Sequence, residues 1–278
     1  MTPADALGAR AADPFCGSGV LGAINELADF SHSKAIADLI TDGNRAKDRL
    51  ILTLGKIGPP RYANFIGRWR DDSEPEIRRS VASALGLLDN PAVTVPVLVQ
   101  MLARGSGADA FGVKWEAAQS LLAIAKRPGG DVVRPRLAAL LGEPDAMTVT
   151  LAAWDLGQLG DARGLTKLRD LTSHADRRLR QEAVLALGEL RDKGSADVVR
   201  RRLKDDSVAV RATAIYALGR IVGAAVAAEL RAATNDALAY EAQLEARKQR
   251  GESEESLRQR YGLTEFDLRE TLQQALAP

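Results

Sequence analysis

The side chains able to make or break bonds are few and scattered. One cysteine, Cys16, and two histidines, His32 and His174, stand among 278 residues. A lone cysteine forms no intramolecular disulfide, and these three residues cannot assemble a cluster of soft ligands, so neither a structural nor a catalytic metal is expected. Around the cysteine runs Asp13-Pro-Phe-Cys-Gly-Ser-Gly-Val20. A glycine-rich run of this kind lets backbone amides approach a cofactor when it follows a strand and opens a helix. Residues 1–12 are Ala-rich without a β-branched run, so that setting is missing and a loop or capped helix start is expected. What recurs instead is positive charge. Arg68, Arg104, Arg134, Lys167, Arg169, Arg200, Arg201 and Lys204 follow one another at repeat-like intervals. Such a series holds anionic groups electrostatically; it performs no reaction.

The elements that would carry these cations are helices. Aromatics make up 4% of the chain and hydrophobic residues 46%, mostly Ala and Leu, which calls for helices packed close together. Net charge is +1, so any electrostatic recognition must be local. The N-terminus has no basic start followed by a long apolar run, and no uninterrupted stretch of about 18 apolar residues occurs. A soluble, cytoplasmic protein without a membrane segment is expected.

Laying the chain on itself reveals a period. Leu54-Gly55, Leu85-Gly86, Ile124-Ala125, Leu156-Gly157, Leu187-Gly188 and Leu218-Gly219 are spaced by 31, 39, 32, 31 and 31 residues. The long interval contains 105–112, whose composition is that of a loop insertion. Eight residues before the glycine stands a cation in four cases, Lys47, Arg78, Arg180 and Arg211. Five before it stands a small or aliphatic residue, Leu50, Val81, Ala152, Ala183 or Ala214. Apolar positions three and four apart form one face of a helix. Acidic and hydroxyl residues lead in, as in Asp205-Asp206-Ser207 and in Asp71-Asp72-Ser73 before Pro75, which suits a helix N-terminus. These are the A helices. A turn and a shorter apolar-periodic segment follow each one, as in Leu165, Leu168 and Leu171, and these are the B helices.

The phrases Asp206-Ser-Val-Ala-Val-Arg-Ala-Thr-Ala-Ile-Tyr-Ala-Leu-Gly219 and Arg180-Gln-Glu-Ala-Val-Leu-Ala-Leu-Gly188 resemble the short HEAT repeats also found in phycobilin lyase subunits. The resemblance covers about residues 44–231. It implies an all-α fold, a right-handed α-α superhelix of the HEAT-like solenoid type. It also implies a ladder between stacked repeats, for which Asp72 with Arg78 and Asp206 with Arg211 fit. Ala117 and Val149 stand at the arginine place in the middle repeats, so the ladder should be interrupted there. Residues 1–43 are read as an N-terminal segment with a divergent capping repeat, 44–231 as the repeats, and 232–278 as charged C-terminal helices covering the open end. Two helices are expected in that last part, Asp236 to Arg250 and Thr264 to Leu276.

HEAT stacks present their B helices on the concave side, and the cation series lies on the B segments with few acids, mainly Asp131, Asp170 and Asp197. Residues 163–231 hold 15 cations and 9 anions, whereas 232–278 hold 6 and 9. The reading is a non-catalytic scaffold that takes no cofactor and binds a protein partner, of acidic character, through this surface. A nucleic-acid backbone is the alternative partner, and a subunit resembling phycobilin lyases is a further one, resting on Ala152-Ala-Trp-Asp-Leu-Gly157.

Other resemblances fail residue by residue. The run at 13–20 resembles the cofactor loop of DNA amino-methyltransferases, but Pro59-Pro60-Arg61-Tyr62 is a poor second motif. HEAT-like alkylpurine DNA glycosylases combine aromatics with an aspartate, yet none of Trp69, Trp115 and Trp154 has an aspartate four residues later. Deoxyhypusine hydroxylase holds iron with His-Glu pairs, and neither histidine here is followed by Glu. Asp155 is the one unusual carboxylate: it stands two before its glycine, where Thr53, Ala84, Ala123, Ala186 and Ala217 stand elsewhere. A buried carboxylate there requires a hydrogen bond or a cation. A salt bridge to a neighbouring repeat is the expectation and a ligand or catalytic role the alternative.

Overall fold

A computed structural model describes residues 32–104, 108–262 and 267–277. The run at 13–20, Thr264 and most of the expected capping repeat lie outside these residues. The described chain is all-α, without a strand. In chain order the helices are α1 (Ser33–Leu39), α2 (Lys47–Ile57), α3 (Ala63–Gly67), α4 (Pro75–Leu87), α5 (Pro91–Ala103), α6 (Ala108–Ala125), α7 (Val133–Leu140), α8 (Ala146–Gln158), α9 (Ala162–Leu171), α10 (Arg177–Glu189), α11 (Ala196–Arg202), α12 (Val208–Val222), α13 (Ala227–Gln249), α14 (Glu254–Tyr261) and α15 (Leu268–Leu276). They form two compact units, 1–151 and 152–278, divided within α8.

The A helices are α2, α4, α6, α8, α10 and α12. Their starts follow from local chemistry. Pro75 opens α4 at its first turn, where no intrahelical donor is lost. Asp176 and Ser207 cap α10 and α12 with side-chain oxygens. The leucines Leu54, Leu85, Leu121, Leu156, Leu187 and Leu218 are all completely buried, each contributing about 1.5–3 kcal/mol of transfer free energy.

The glycine anchors work by close approach. A Cβ on Gly55 would lie 2.6 Å from Ala84 Cα, and one on Gly188 would lie 2.7 Å from Ala217 Cα. These two glycines thus receive the small residue two places before the next anchor, whereas Gly157 meets the Leu190 side chain, 2.6 Å from its Cβ position. Gly86 departs: the residue it meets is Ser120, whose Cβ would lie 2.6 Å away. Ser120 sits three residues before Ala123, so α6 is displaced by one turn from the register the Ile124-Ala125 spacing predicts. The anchor of that repeat is Leu121-Leu122. Leu occupies the glycine place there, which is why counting glycines misplaced it.

The C-terminal part also differs from expectation. The predicted helix from Asp236 begins nine residues earlier, so α13 runs Ala227–Gln249, and a separate α14 follows. Asp267 caps α15 through the amides of Arg269 and Glu270, and a Cβ on Gly219 would lie 2.8 Å from that of Ala275. Hence α15 takes, against α12, the place that the next A helix takes elsewhere. A window within 208–249 is long and apolar enough to cross a membrane by length and composition, but half of it is buried in the fold, as in a core helix.

Candidate functional site

The charged residues before and within the A helices form rungs between repeats. Lys47 Nζ lies 2.6 Å from Asp72 Oδ2, and Lys114 Nζ lies 2.7 Å from Asp145 Oδ2. Arg180 grips Asp205 with both ends of its guanidinium, at 2.7 and 3.0 Å. Each aspartate also accepts a nearby backbone amide, from Glu74, Thr148 and Ser207 respectively. Burial acts to raise the carboxyls of Asp72, Asp145 and Asp205. The hydrogen bonds from the cation and the amide outweigh it, and all three titrate below the ordinary carboxylate value.

Three expectations about the ladder are corrected. The rung residue before α12 is Asp205, not Asp206, because it stands 14 places before its glycine as Asp72 does; Asp206 is exposed and touches Arg180 from the side. The arginines Arg78 and Arg211 do not bond the side chains of Asp72 and Asp206; they donate to the backbone carbonyls of Asp72 and Asp205. Nor is the ladder broken at Ala117. Lys114, one turn earlier and 2% exposed, supplies the cation, as the shifted register of α6 requires. At Val149 no cation stands, and His174 occupies the aspartate place of the following turn, where its Nδ1 accepts the Asp176 amide.

Each unit has an open cleft beside these turns. In the first, Arg70, Asp71, Arg78, Gln100 and Arg104 line it. In the second, Ser173, Arg180, Arg201, Arg202, Lys204 and Asp206 do. Both lie between one repeat's turn and the end of the next B helix.

The B-side cations meet more acids than the sequence indicated. In the first unit Arg104 lies 3.3 Å from Asp71, and Arg68 covers the Phe65 ring at 4.6 Å. Arg134 is exposed on α7 with no ion pair among the described residues. In the second, Arg169 bonds Asp192 at 2.5 Å and Ser195 at 2.9 Å, and Arg200 bonds Asp197 and Glu229, each at 2.7 Å. Lys167 is half-buried, Arg201 and Lys204 are exposed, and none of the three has an ion pair among the described residues. Asp71, Asp192 and Glu229 were missed because they come from neighbouring turns and helices rather than from the helix bearing the cation.

Asp155 is buried in α8 at 3% exposure, and it is engaged there. Trp154 beside it is half-buried, and Tyr216, its equivalent two repeats on, donates to Glu189 at 2.7 Å. Among the described residues no group of three or more His, Cys, Asp or Glu could hold a metal ion.

Residues 165–248 match the family model for HEAT repeats. No curated protein matches the chain in sequence. Among solved structures, the complex of CpcE and CpcF of phycocyanin lyase from Nostoc sp. is similar at 15% identity and a TM-score of 0.43, over 79% of this chain and 88% of that one. Human deoxyhypusine hydroxylase is similar at 18% identity and a TM-score of 0.38, over 98% and 94%. An engineered protein is similar at 19% identity and a TM-score of 0.41, over 98% and 72%. With a HEAT-repeat match in its second unit, and with hairpins joined in both units by the same glycine contacts and charged rungs, the chain is a HEAT-like repeat protein.

Proposed function

We propose that the chain is a non-catalytic scaffold whose second unit binds an acidic segment of a protein partner through Lys167, Arg201 and Lys204. One observation carries this reading. Arg169, Arg180, Arg200 and Arg202 are engaged with acids of the fold, while these three cations have no ion pair among the described residues and are left to meet an outside group. Paired charge favours a protein partner over a polyanion, because Asp192, Asp197 and Glu229 cancel Arg169 and Arg200 and leave few free cations for a phosphate backbone.

The test is fluorescence anisotropy with a Glu- and Asp-rich peptide of about 20 residues, on the full chain and on the Lys167→Glu, Arg201→Glu, Lys204→Glu variant. Binding by the first and at least a tenfold loss in the second is the expected result; equal affinity overturns the reading.

A nucleic-acid reading has one observation of its own, in the first unit. Arg61 covers Tyr62 at 5.4 Å and Arg68 covers Phe65 at 4.6 Å, the mixture of guanidinium and ring that single strands use. An affinity for single-stranded DNA that falls steeply between 50 and 200 mM salt, on the order of a hundredfold or more, supports it; no binding at low salt removes it.

A further inference from the structure

We propose that Ser173 is a phosphorylation site, at which a phosphoryl group on Oγ closes an ion pair with Arg201 and Lys204 across a repeat junction. The two clefts are equivalent in their place within the repeat. Asp71 stands 15 places before Gly86, and Ser173 stands 15 places before Gly188. In the first unit Asp71 receives Arg104, from the end of the following B helix, at 3.3 Å. In the second unit a hydroxyl stands in that place, facing a B-helix end that carries Arg201, Arg202 and Lys204.

The cleft therefore sets cations beside a hydroxyl where the first unit has an acid, and the two acids it does hold, Asp205 and Asp206, are already engaged. Arg202 is drawn to Asp205 at 3.3 Å, and Arg180 is saturated by Asp205 and Asp206. Arg201 and Lys204 remain exposed, without an ion pair among the described residues. Ser173 is exposed as well, and its amide donates to Asp170 O at 3.1 Å, which fixes the turn that presents it. A phosphoserine carries close to two negative charges at neutral pH and three acceptor oxygens, and it orders an adjacent arginine cluster through charge-assisted hydrogen bonds. Asp206, the exposed acid in the cleft, is held by Arg180, so the phosphate turns towards Arg201 and Lys204.

In the step, a serine kinase supplies ATP. The Ser173 Oγ forms a bond to the γ-phosphorus, the bond to the bridging β,γ-oxygen breaks, ADP leaves, and the hydroxyl proton passes to the kinase's base. The product sequesters two of the three cations assigned above to the acidic partner, so phosphorylation switches that binding off. This last consequence rests on the proposed function; the ion pair does not.

The test uses the full chain with phosphoserine installed at position 173 during synthesis, titrated by phosphorus NMR when folded and again in urea. The folded phosphate should titrate lower than the unfolded one by about half a unit or more, and Arg201→Glu with Lys204→Glu should abolish the difference. Superimposable folded and unfolded titrations overturn the proposal. So does a shift indifferent to the two reversals. Separately, the chain incubated with ATP and extract of its own cells should carry phosphate on the Ser173 peptide by mass spectrometry. Phosphate found elsewhere and never there also overturns it. The expected lowering of the phosphate titration together with no peptide binding by the unphosphorylated chain leaves the site standing and sinks the partner reading alone.

Discussion

Arg180 and Asp205, 25 residues apart, meet in a two-pronged contact of 2.7 and 3.0 Å that ties one A helix to the turn opening the next. The guanidinium is spent twice, since it also donates to the carbonyls of His174 and Ala175 at 3.0 and 2.9 Å. It therefore closes the turn before its own helix and the junction after it. Both partners are nearly buried, with side-chain exposures of 9% and 3%.

Removing Arg180 leaves Asp205 buried with only the longer Arg202 contact, at 3.3 Å, and the Ser207 amide. Arg180→Ala should therefore cost about 3 kcal/mol, the lower end for breaking a buried pair. Arg180→Met combined with Asp205→Leu should recover a large part of that loss, the carbonyl bonds excepted. Urea denaturation of the two variants and the parent measures this. A double variant no more stable than the single one would show that the loss comes from the bonds Arg180 itself makes and not from a stranded Asp205 charge.

The same rungs set the response to acid. Asp72, Asp145 and Asp205 all titrate lower in the fold than in the unfolded chain, so the unfolded state takes up protons first as pH falls. Their stabilisation is complete above the ordinary carboxylate range and disappears as pH drops through the lowered folded values. Urea midpoints measured from pH 7 down to 3 should fall steeply for the parent chain and less steeply for Asp205→Asn. Parallel curves would contradict the rung assignment.

The fold was legible because its repeat unit writes itself in the residues that touch. A glycine is required wherever the next helix lies against the backbone, and an aliphatic neighbour wherever the core is dry. Those two signals placed the A helices and the family. Register within α6 was not legible, because Leu122 takes the glycine place and Ala125 imitates it one turn later. The acids that neutralise Arg104, Arg169 and Arg200 were also hidden, since Asp71, Asp192 and Glu229 approach through turns and helices whose geometry no spacing reveals. Counting charges along a helix measures what it carries, not what it faces.

Glycines at the junctions should tolerate a methyl group poorly even though alanine is the better helix former. Gly188→Ala would place its Cβ 2.7 Å from Ala217 Cα, backbone that cannot move alone, and overpacking of this kind costs about 1–3 kcal/mol. Gly67, the last residue of α3, offers the contrast: its nearest neighbour would be a Val97 methyl at 3.8 Å. Gly67→Ala should be stabilising by about 0.4–1 kcal/mol. Thermal midpoints moving in opposite directions are the expected outcome, and a loss at both positions would mean that the junction contacts are not what distinguishes them.

While α15 packs against α12 through buried apolar residues, α14 is tied to α10 and α12 by a small number of polar contacts, which makes those ties separable by mutation. Arg177, buried at the start of α10, donates to the carbonyls of Gln259 and Arg258 at 2.6 and 2.9 Å. Ser207, at the start of α12, donates to Tyr261 O at 3.0 Å. Together they bond carbonyls of the last turn of α14, where a helix end leaves acceptors open; Arg258 O also takes the Gly262 amide. Bonds from a charged donor contribute about 1.5–3 kcal/mol each, so Arg177→Ala should raise the exchange rate of the α14 amides by tenfold or more. The amides of α12 should respond less, because Leu187, Leu218 and the glycine contacts are untouched. Arg178→Ala, its exposed neighbour, should change neither. Hydrogen exchange that quickens equally across α10, α12 and α14 in Arg177→Ala would instead make this arginine a support of the whole second unit, and the C-terminal helices an inseparable part of it.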